Sequence, residues 1–434
     1  KFNLHIRIAN QTRDVGVDAG GGARRATQTS SARIIKGVKR LIRIRSLVKM
    51  RSQATKLIKT GAQPSWCYGA EAYGLTDAKL AKLRAATADA AGRPGAQGCP
   101  ILTIQLTLGG GADPLMVANL QSVKWWLATW HSSISMEAIL RKAWHKARGR
   151  IFARDGSGTK ILWSKVTGPI ATVIANLARI GWNPREPDQW TDPGGCVWQF
   201  TRSDFKPELA DFTAAIYDTT QRRLLAAAAE HRDGAGLQEL PDLECFQRHL
   251  GRLGKENQHQ ARGLLLAAGV GGLWPNARVH EIDPEVSPSC NLCGADWQDE
   301  RHLIWECPFT CKHADERIQD SAKLVKTAIR ELDQGKAKAH WLRGVSTFRG
   351  IEQPIAEESV VLTGPATVLE NAKVFGTDGS GGKYSREPYL RSCGAGVAVA
   401  RDHPHALCRK VAAGLSASIP GRQTVPRAEI WAVI

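Results

Sequence analysis

Val374-Phe375-Gly376-Thr377-Asp378-Gly379-Ser380-Gly381 and Thr424-Val425-Pro426-Arg427-Ala428-Glu429 are the stretches on which the reading of this chain turns. The first reads as an apolar strand that delivers a carboxylate, Asp378, at its end. The second reads as a helix start, with Thr424 placed to cap it and Pro426 in its first turn. Its carboxylate is Glu429. Between them lie two strand-like runs, Gly394–Ala400 and Ala406–Leu415, separated by the turn-forming Arg401-Asp402-His403-Pro404-His405. Three strands and a helix predict an α/β unit over residues 373–434, with the loop Gly382–Ser392 as an exposed turn. The chain carries its own control, since Asp155-Gly156-Ser157-Gly158 repeats the tetrapeptide of Asp378. That copy lacks the strand pair and the later Pro-x-x-Glu, and is expected to be a loop.

The sharpest local pattern is Cys290-Asn291-Leu292-Cys293, then His302, then Cys307-Pro308, a C-x2-C-x8-H-x4-C spacing. Two thiolates on a tight turn, with an imidazole and a third thiolate about one helical turn apart, can close a tetrahedral zinc site. Four protein ligands leave no open position, so the expected Zn²⁺ is structural. The bland alternative is a pair of buried cysteines beside an exposed histidine. Cys311 and His313 lie close enough in sequence to be alternative fourth ligands.

Formal net charge is +18, and residues 24–59 hold twelve Lys and Arg with no acidic residue. Such a run is the electrostatic footprint of a polyanionic partner. From Ser31 to Lys59 the pattern is helical: Ile34, Val38, Leu41 and Val48 share one face. Arg33, Lys36, Lys39, Arg40 and Arg43 are the candidate nucleic-acid contacts, the alternative being a merely solvated face. A second helix is expected from about Thr76 to Ala91, with Leu75, Leu80 and Leu83 inward and Lys79, Lys82 and Arg84 more outward. Trp125, Trp126 and Trp130 are assigned to a core rather than to base stacking. Gly168-Pro169 opens a helix through Ile180, and residues 205–270 read as two or three more. A charged helix follows over roughly 314–335. No run approaches the ~18 apolar residues of a membrane span. Ten irregularly placed cysteines suggest a reducing compartment. The expected location is intracellular, nucleus or cytoplasm, with no signal peptide and no membrane.

Taken in order, these pieces resemble the C-terminal part of a non-LTR (LINE-type) retrotransposon polyprotein. Asp14-Val15-Gly16-Val17-Asp18 resembles that family's palm-to-thumb segment, and Trp66-Cys67-Tyr68-Gly69-Ala70-Glu71-Ala72-Tyr73-Gly74 its stretch after the thumb helices. The knuckle spacing matches the same family. The motifs around Asp378 and Glu429 resemble the first half of the ribonuclease H family, which cuts the RNA strand of RNA–DNA hybrids. The resemblance implies six segments: a palm-to-thumb remnant (1–23), a basic helical thumb-like region (24–112) and a helical connector (113–275). A zinc knuckle (276–315), a helix and linker (316–372) and the N-terminal half of a ribonuclease H-like α/β domain with a mixed sheet (373–434) complete the set.

It further implies that Asp378 and Glu429 are catalytic and bind Mg²⁺, as part of a two-metal site whose other carboxylates lie beyond Ile434. RNA, DNA and RNA–DNA hybrid are the implied partners, together with an upstream polymerase domain of the same polyprotein. No Asp-Asp dipeptide occurs in the chain, so polymerisation is not expected of it. The chain is expected to be a fragment, its hydrolase inactive as it stands. The alternative is a non-catalytic nucleic-acid-binding or scaffold protein derived from such an element.

Overall fold

The computed structural model describes residues 11–433 apart from 15–16, 21–24, 94–97, 133, 153–159, 201–204, 347–359, 373–374, 382–392, 402–409 and 419–424. They form two compact units, Lys1–Thr347 and Phe348–Ile434. Val374, Thr424, the Gly382–Ser392 loop and the control tetrapeptide at Asp155 lie outside the described residues.

The first unit is helical. It opens with an antiparallel hairpin, β1 (Gln11–Asp14) and β2 (Val17–Gly20), in which Asp14 pairs with Val17. The Asp14–Asp18 segment therefore includes the paired ends of both strands, with residues 15–16 outside the described residues. Helix α1 (Gln28–Met50) buries Ile34, Gly37, Leu41 and Ile44 on one side, with Val38 and Val48 partly buried. It is shorter than the sequence pattern predicts: the chain leaves the helix at Arg51 in an extended conformation, then forms a 3-10 turn and a π turn at Ile58–Ala62. Helices α2 (Gln63–Cys67) and α3 (Ala70–Tyr73) follow, then α4 (Asp77–Ala90), capped by the Thr76 hydroxyl accepting from the Lys79 amide. Leu75, Leu80 and Leu83 are buried as expected. Arg84 is not outward. It forms a two-bonded ion pair with the buried Asp113, Nε to Oδ2 at 2.7 Å and Nη2 to Oδ1 at 2.9 Å.

Beyond α5 (Pro100–Leu108), α6 (Pro114–Ser132), α7 (Glu137–Ile151) and α8 (Gly168–Arg179) build a second core. Trp126, Trp130 and Trp144 are all but fully buried there, Trp125 is partly buried against them, and the Trp126 and Trp144 rings lie 4.6 Å apart. These tryptophans are core. A small hairpin, β3 (Gln189–Thr191) and β4 (Val197–Gln199), closes over this core with Trp190. Helices α9 (Phe205–Ala229), α10 (Leu243–Lys255) and α11 (His259–Gly269) fill the predicted helical stretch. Short helices α12 (Asn276–His280), α13 (Pro308–Cys311), α14 (Glu316–Ser321), α15 (Val325–Asp333) and α16 (Lys338–Arg343) surround the cysteine cluster.

The second unit is a four-stranded sheet with two helices. The order is β5 (Val361–Thr363), β8 (Lys410–Ser418), β7 (Gly394–Arg401), β6 (Gly376–Ser380), and every described pairing is antiparallel rather than mixed. Strand β5 and helix α17 (Ala366–Glu370) fall in the segment read as a linker. Three consecutive exposed residues give β5 no alternation by which sequence could reveal it. Strand β8 continues to Ser418, past the predicted end at Leu415, and residues 406–409 of the predicted run lie outside the described residues. Helix α18 (Val425–Trp431) has Pro426 as its second residue, and Ala428 within it and Ala432 just past its end are buried with Cys393 and Ala395.

Two glycines allow a test of the packing of α1. A Cβ on Gly37 would lie 2.9 Å from Trp66 Cβ, whereas one on Gly251 in α10 would meet nothing. Gly37→Ala is therefore expected to destabilise by about 1–3 kcal/mol through overpacking. Gly251→Ala should instead stabilise by up to about 1 kcal/mol through helix propensity. Chemical denaturation of both variants checks the opposite signs.

Candidate metal centre and nucleic-acid face

The four sequence-predicted ligands converge. Cys290 Sγ, Cys293 Sγ, His302 Nε2 and Cys307 Sγ all lie within 4.8 Å of one another. Cys290 and Cys307 sulfurs are 4.0 Å apart, and Cys293 Sγ is 3.3 Å from His302 Nε2. Three of the four residues are buried and Cys293 is exposed. The arrangement could hold a metal ion.

Local backbone chemistry makes this possible. Gly294, at φ +79°, takes the left-handed turn that returns the chain, so that its amide donates to Cys290 O and the Cys290 amide donates to Ala295 O. On the other side, Asp299 Oδ1 accepts from the His302 amide at 2.7 Å and starts a π turn, His302–Glu306. The Cys307 amide closes that turn on His302 O at 2.7 Å. In an α-helix, residues five apart project about 140° from each other. The wider π turn brings them to one side, which the H-x4-C spacing requires.

Sulfur electrostatics follow from the same turns. Burial alone would raise the Cys290 thiol, but the Cys293 and Leu292 amides, the Gln298 amide and His302 favour its thiolate and bring it down to about 6. For Cys293 the Ala295 backbone favours the thiolate. Desolvation and the neighbouring Cys290 and Cys307 sulfurs outweigh it and raise the thiol above its ordinary value. Cys311 and His313 are not ligands: the Cys311 thiol donates to Trp305 O, and His313 Nδ1 accepts from the Asp315 amide.

Gln298 is the residue that sequence reasoning missed. Its side chain donates to Cys290 Sγ at 3.2 Å and accepts from the Asn276 amide at 3.1 Å, while its backbone carbonyl accepts from Ala277. It thus ties a ligand to the start of α12. No spacing rule marks such a residue.

The basic helix separates into two sets. Lys36, Lys39 and Arg43 are exposed, at i, i+3 and i+7 on α1, with Arg45, Lys49 and Arg51 exposed beyond them. Arg33 and Arg40 are not part of that stripe. The Arg33 guanidinium lies 4.4 Å from the Tyr68 ring centroid, and Arg40 Nη1 donates to Gly61 O at 3.0 Å. Both are half-buried.

Asp378 sits in the middle of β6, opposite Gly396, rather than at a strand end. The helix bearing Glu429 packs directly on the next residue. A Cβ at Gly379 would lie 2.4 Å from Glu429 N and 2.8 Å from its Cγ, so only glycine admits this approach. The two carboxylate-bearing segments are thus adjacent, and both residues are exposed. Among the described residues they join no third His, Cys, Asp or Glu within ligand range. Two carboxylates are too small a donor set for two Mg²⁺ ions, so no hydrolytic step is derived through them.

The metal-free knuckle should show one thiolate-forming step near pH 6, read by thiolate absorbance and lost in Cys290→Ser. Because this thiol is depressed on folding, its stabilising contribution is present above the ordinary thiol range and is lost as pH falls through about 6. Absence of any step below the ordinary thiol range contradicts the assigned geometry.

No helix among the described residues is long and apolar enough to cross a membrane. No protein-family model matches the chain, and neither curated proteins nor solved structures yield a match.

Proposed function

We propose that this protein binds nucleic acid through the outer face of α1, as part of a non-LTR retroelement reverse-transcriptase polyprotein. The observation that carries the reading is the stripe of Lys36, Lys39 and Arg43 on a helix whose opposite face is buried. It stands in a run of twelve cations without one acid. Contacts of this kind go to phosphates and position a strand without reading its bases.

The knuckle has a different role. Residues 281–306 contain seven acidic residues and one arginine, a surface that repels phosphate. We assign it a structural Zn²⁺. A tetrahedron with Zn–S of about 2.3 Å and Zn–N of about 2.0 Å has S···S edges of about 3.8 Å and S···N edges of about 3.6 Å. The observed 4.0 and 3.3 Å edges match within a few tenths. Through Gln298 the ion would fix α12. The Trp305 indole, which donates to Trp341 O at 2.8 Å, would carry the same restraint to α16.

The second unit fits the N-terminal half of a ribonuclease H-like domain, on the order of strands β6, β7 and β8 before the Glu429 helix. That likeness is one of element order, and Asp378 with Glu429 would be part of a larger ligand set. The second reading, a non-catalytic binding protein, is favoured by the exposure of both carboxylates and the lack of a third beside them among the described residues.

Replacing Lys36, Lys39 and Arg43 together by Ala should weaken binding to unrelated sequences alike and flatten the salt dependence by about one unit per lost phosphate contact. Arg33→Ala should chiefly lower stability instead. Unchanged affinity in the triple variant at fixed salt makes that face solvated surface only. The same preparation is expected to show no Mg²⁺-dependent cleavage of an RNA–DNA hybrid.

Elemental analysis of the purified chain should give one zinc per molecule, and Cys307→Ser should lose it together with protease resistance around residues 276–343. A wild-type chain that neither carries zinc as purified nor takes up one equivalent when zinc is added contradicts the assignment.

A further inference from the structure

Away from α1 and the knuckle, the first unit holds an uncompensated buried cation. Arg343, the last residue of α16, is 2% exposed, and its Nε, Nη1 and Nη2 have no hydrogen-bond partner among the described residues. Its guanidinium lies against the turn at Gly271. A Cβ there would fall 2.6 Å from Nη2, and the φ of +66° independently favours glycine.

A second guanidinium meets the same turn. Arg278 in α12 is 3% exposed and gives Nη1 to Gly271 O at 3.1 Å and to Leu273 O, while its carbon Cζ sits 4.8 Å from the Trp274 ring centroid. Its Nε and Nη2 likewise have no partner among the described residues. His231 is half-buried, and its Nδ1 has no hydrogen-bond partner among the described residues. Burial lowers the pKa of this imidazole, and the fields of Arg343 and Arg278 lower it further.

The nearby carboxylates are already occupied. Glu300 is 3.7 Å from Arg278 Nη1, Asp233 is 3.6 Å from Lys338 Nζ, and Glu281 is 3.0 Å from Arg232 Nη2. None reaches Arg343. A guanidinium does not shed its proton in a protein, and its five N–H groups form a planar fork that matches oxyanions. Burial excludes a duplex backbone from these nitrogens, so a partner from solution must be a small group.

We propose that Arg343 and Arg278 form a binding site for a phosphate-type oxyanion. Gly271 is the element that lets both guanidiniums share one turn. The ligand is either a free ion or the terminal phosphate of a strand, since both present the same tetrahedral oxygens. The site is independent of the α1 stripe.

The test is thermal unfolding of the full chain in inorganic phosphate against sodium chloride of equal ionic strength. The midpoint should rise with phosphate beyond chloride. The rise should be lost in Arg343→Met, which should itself be more stable than wild type without phosphate, and kept in the Lys36/Lys39/Arg43→Ala variant. Equal effects of phosphate and chloride, or a rise retained in Arg343→Met, overturn the proposal. If Arg343→Met does not fold, Arg343→Lys, which keeps the charge and loses the planar fork, decides. A higher phosphate concentration for the half-maximal rise supports the site, and an unchanged one overturns it. A 5′-phosphorylated oligonucleotide is compared with its 5′-hydroxyl form. A difference between them assigns the site to a strand end, and no difference alongside a response to inorganic phosphate assigns it to a free ion.

Discussion

The close crossing of α1 over Trp66 is the constraint from which the surface of the first unit follows. At Gly37 the helix has no side chain, and even a methyl group would meet the Trp66 Cβ at 2.9 Å. That contact fixes the rotation of α1 about its own axis. With Ile34, Gly37, Leu41 and Ile44 inward, helical periodicity sends Lys36, Lys39 and Arg43 outward. The position of the exposed cationic stripe is therefore decided by an apolar contact on the opposite side of the helix. Mutual repulsion along the stripe costs stability, and the buried face must offset it.

The charge of the first unit is divided by element. Basic residues crowd α1, while the cysteine knuckle carries an excess of acids. A metal held by three thiolates and one imidazole adds no positive charge to that surface, because the thiolates outnumber the two charges of the ion. With a metal bound, the proposed role of the knuckle is to join chain segments: Gln298 couples the Cys290 sulfur to α12, and Trp305 reaches α16. Buried Arg278 and Arg343 sit close to those same helices, so the segments that a metal would order are also those that hold the cationic turn at Gly271.

Much of this was legible in the sequence where the signal was local. The C-x2-C-x8-H-x4-C spacing located all four clustered ligands, and apolar periodicity located the inner faces of α1 and α4. The Gly394–Ala400 strand fell almost on β7. What was not legible depended on distant partners. Arg33 and Arg40 looked equivalent to Lys36 until Tyr68 and Gly61 were brought beside them by the turns after Met50. Arg84 read as exposed because its partner Asp113 lies on another helix. Strand β5 is short and exposed on every residue, so neither alternation nor hydrophobicity marks it. Asp378 falls within β6 and not at its end because the strand begins at Gly376, after the apolar Phe375 that the sequence pattern counts into it.

The central claim is that α1, and not the knuckle, faces the nucleic acid. Lysine acylation footprinting of the full chain, with and without a bound single strand or hybrid, tests it directly. Lys36, Lys39 and Lys49 on α1 and Lys312 beside the knuckle are all exposed and report from the two surfaces at once. The account predicts protection of the three α1 lysines, reversed by salt, with Lys312 as reactive as in the free protein. Protection of Lys312 with the α1 lysines left reactive would contradict it.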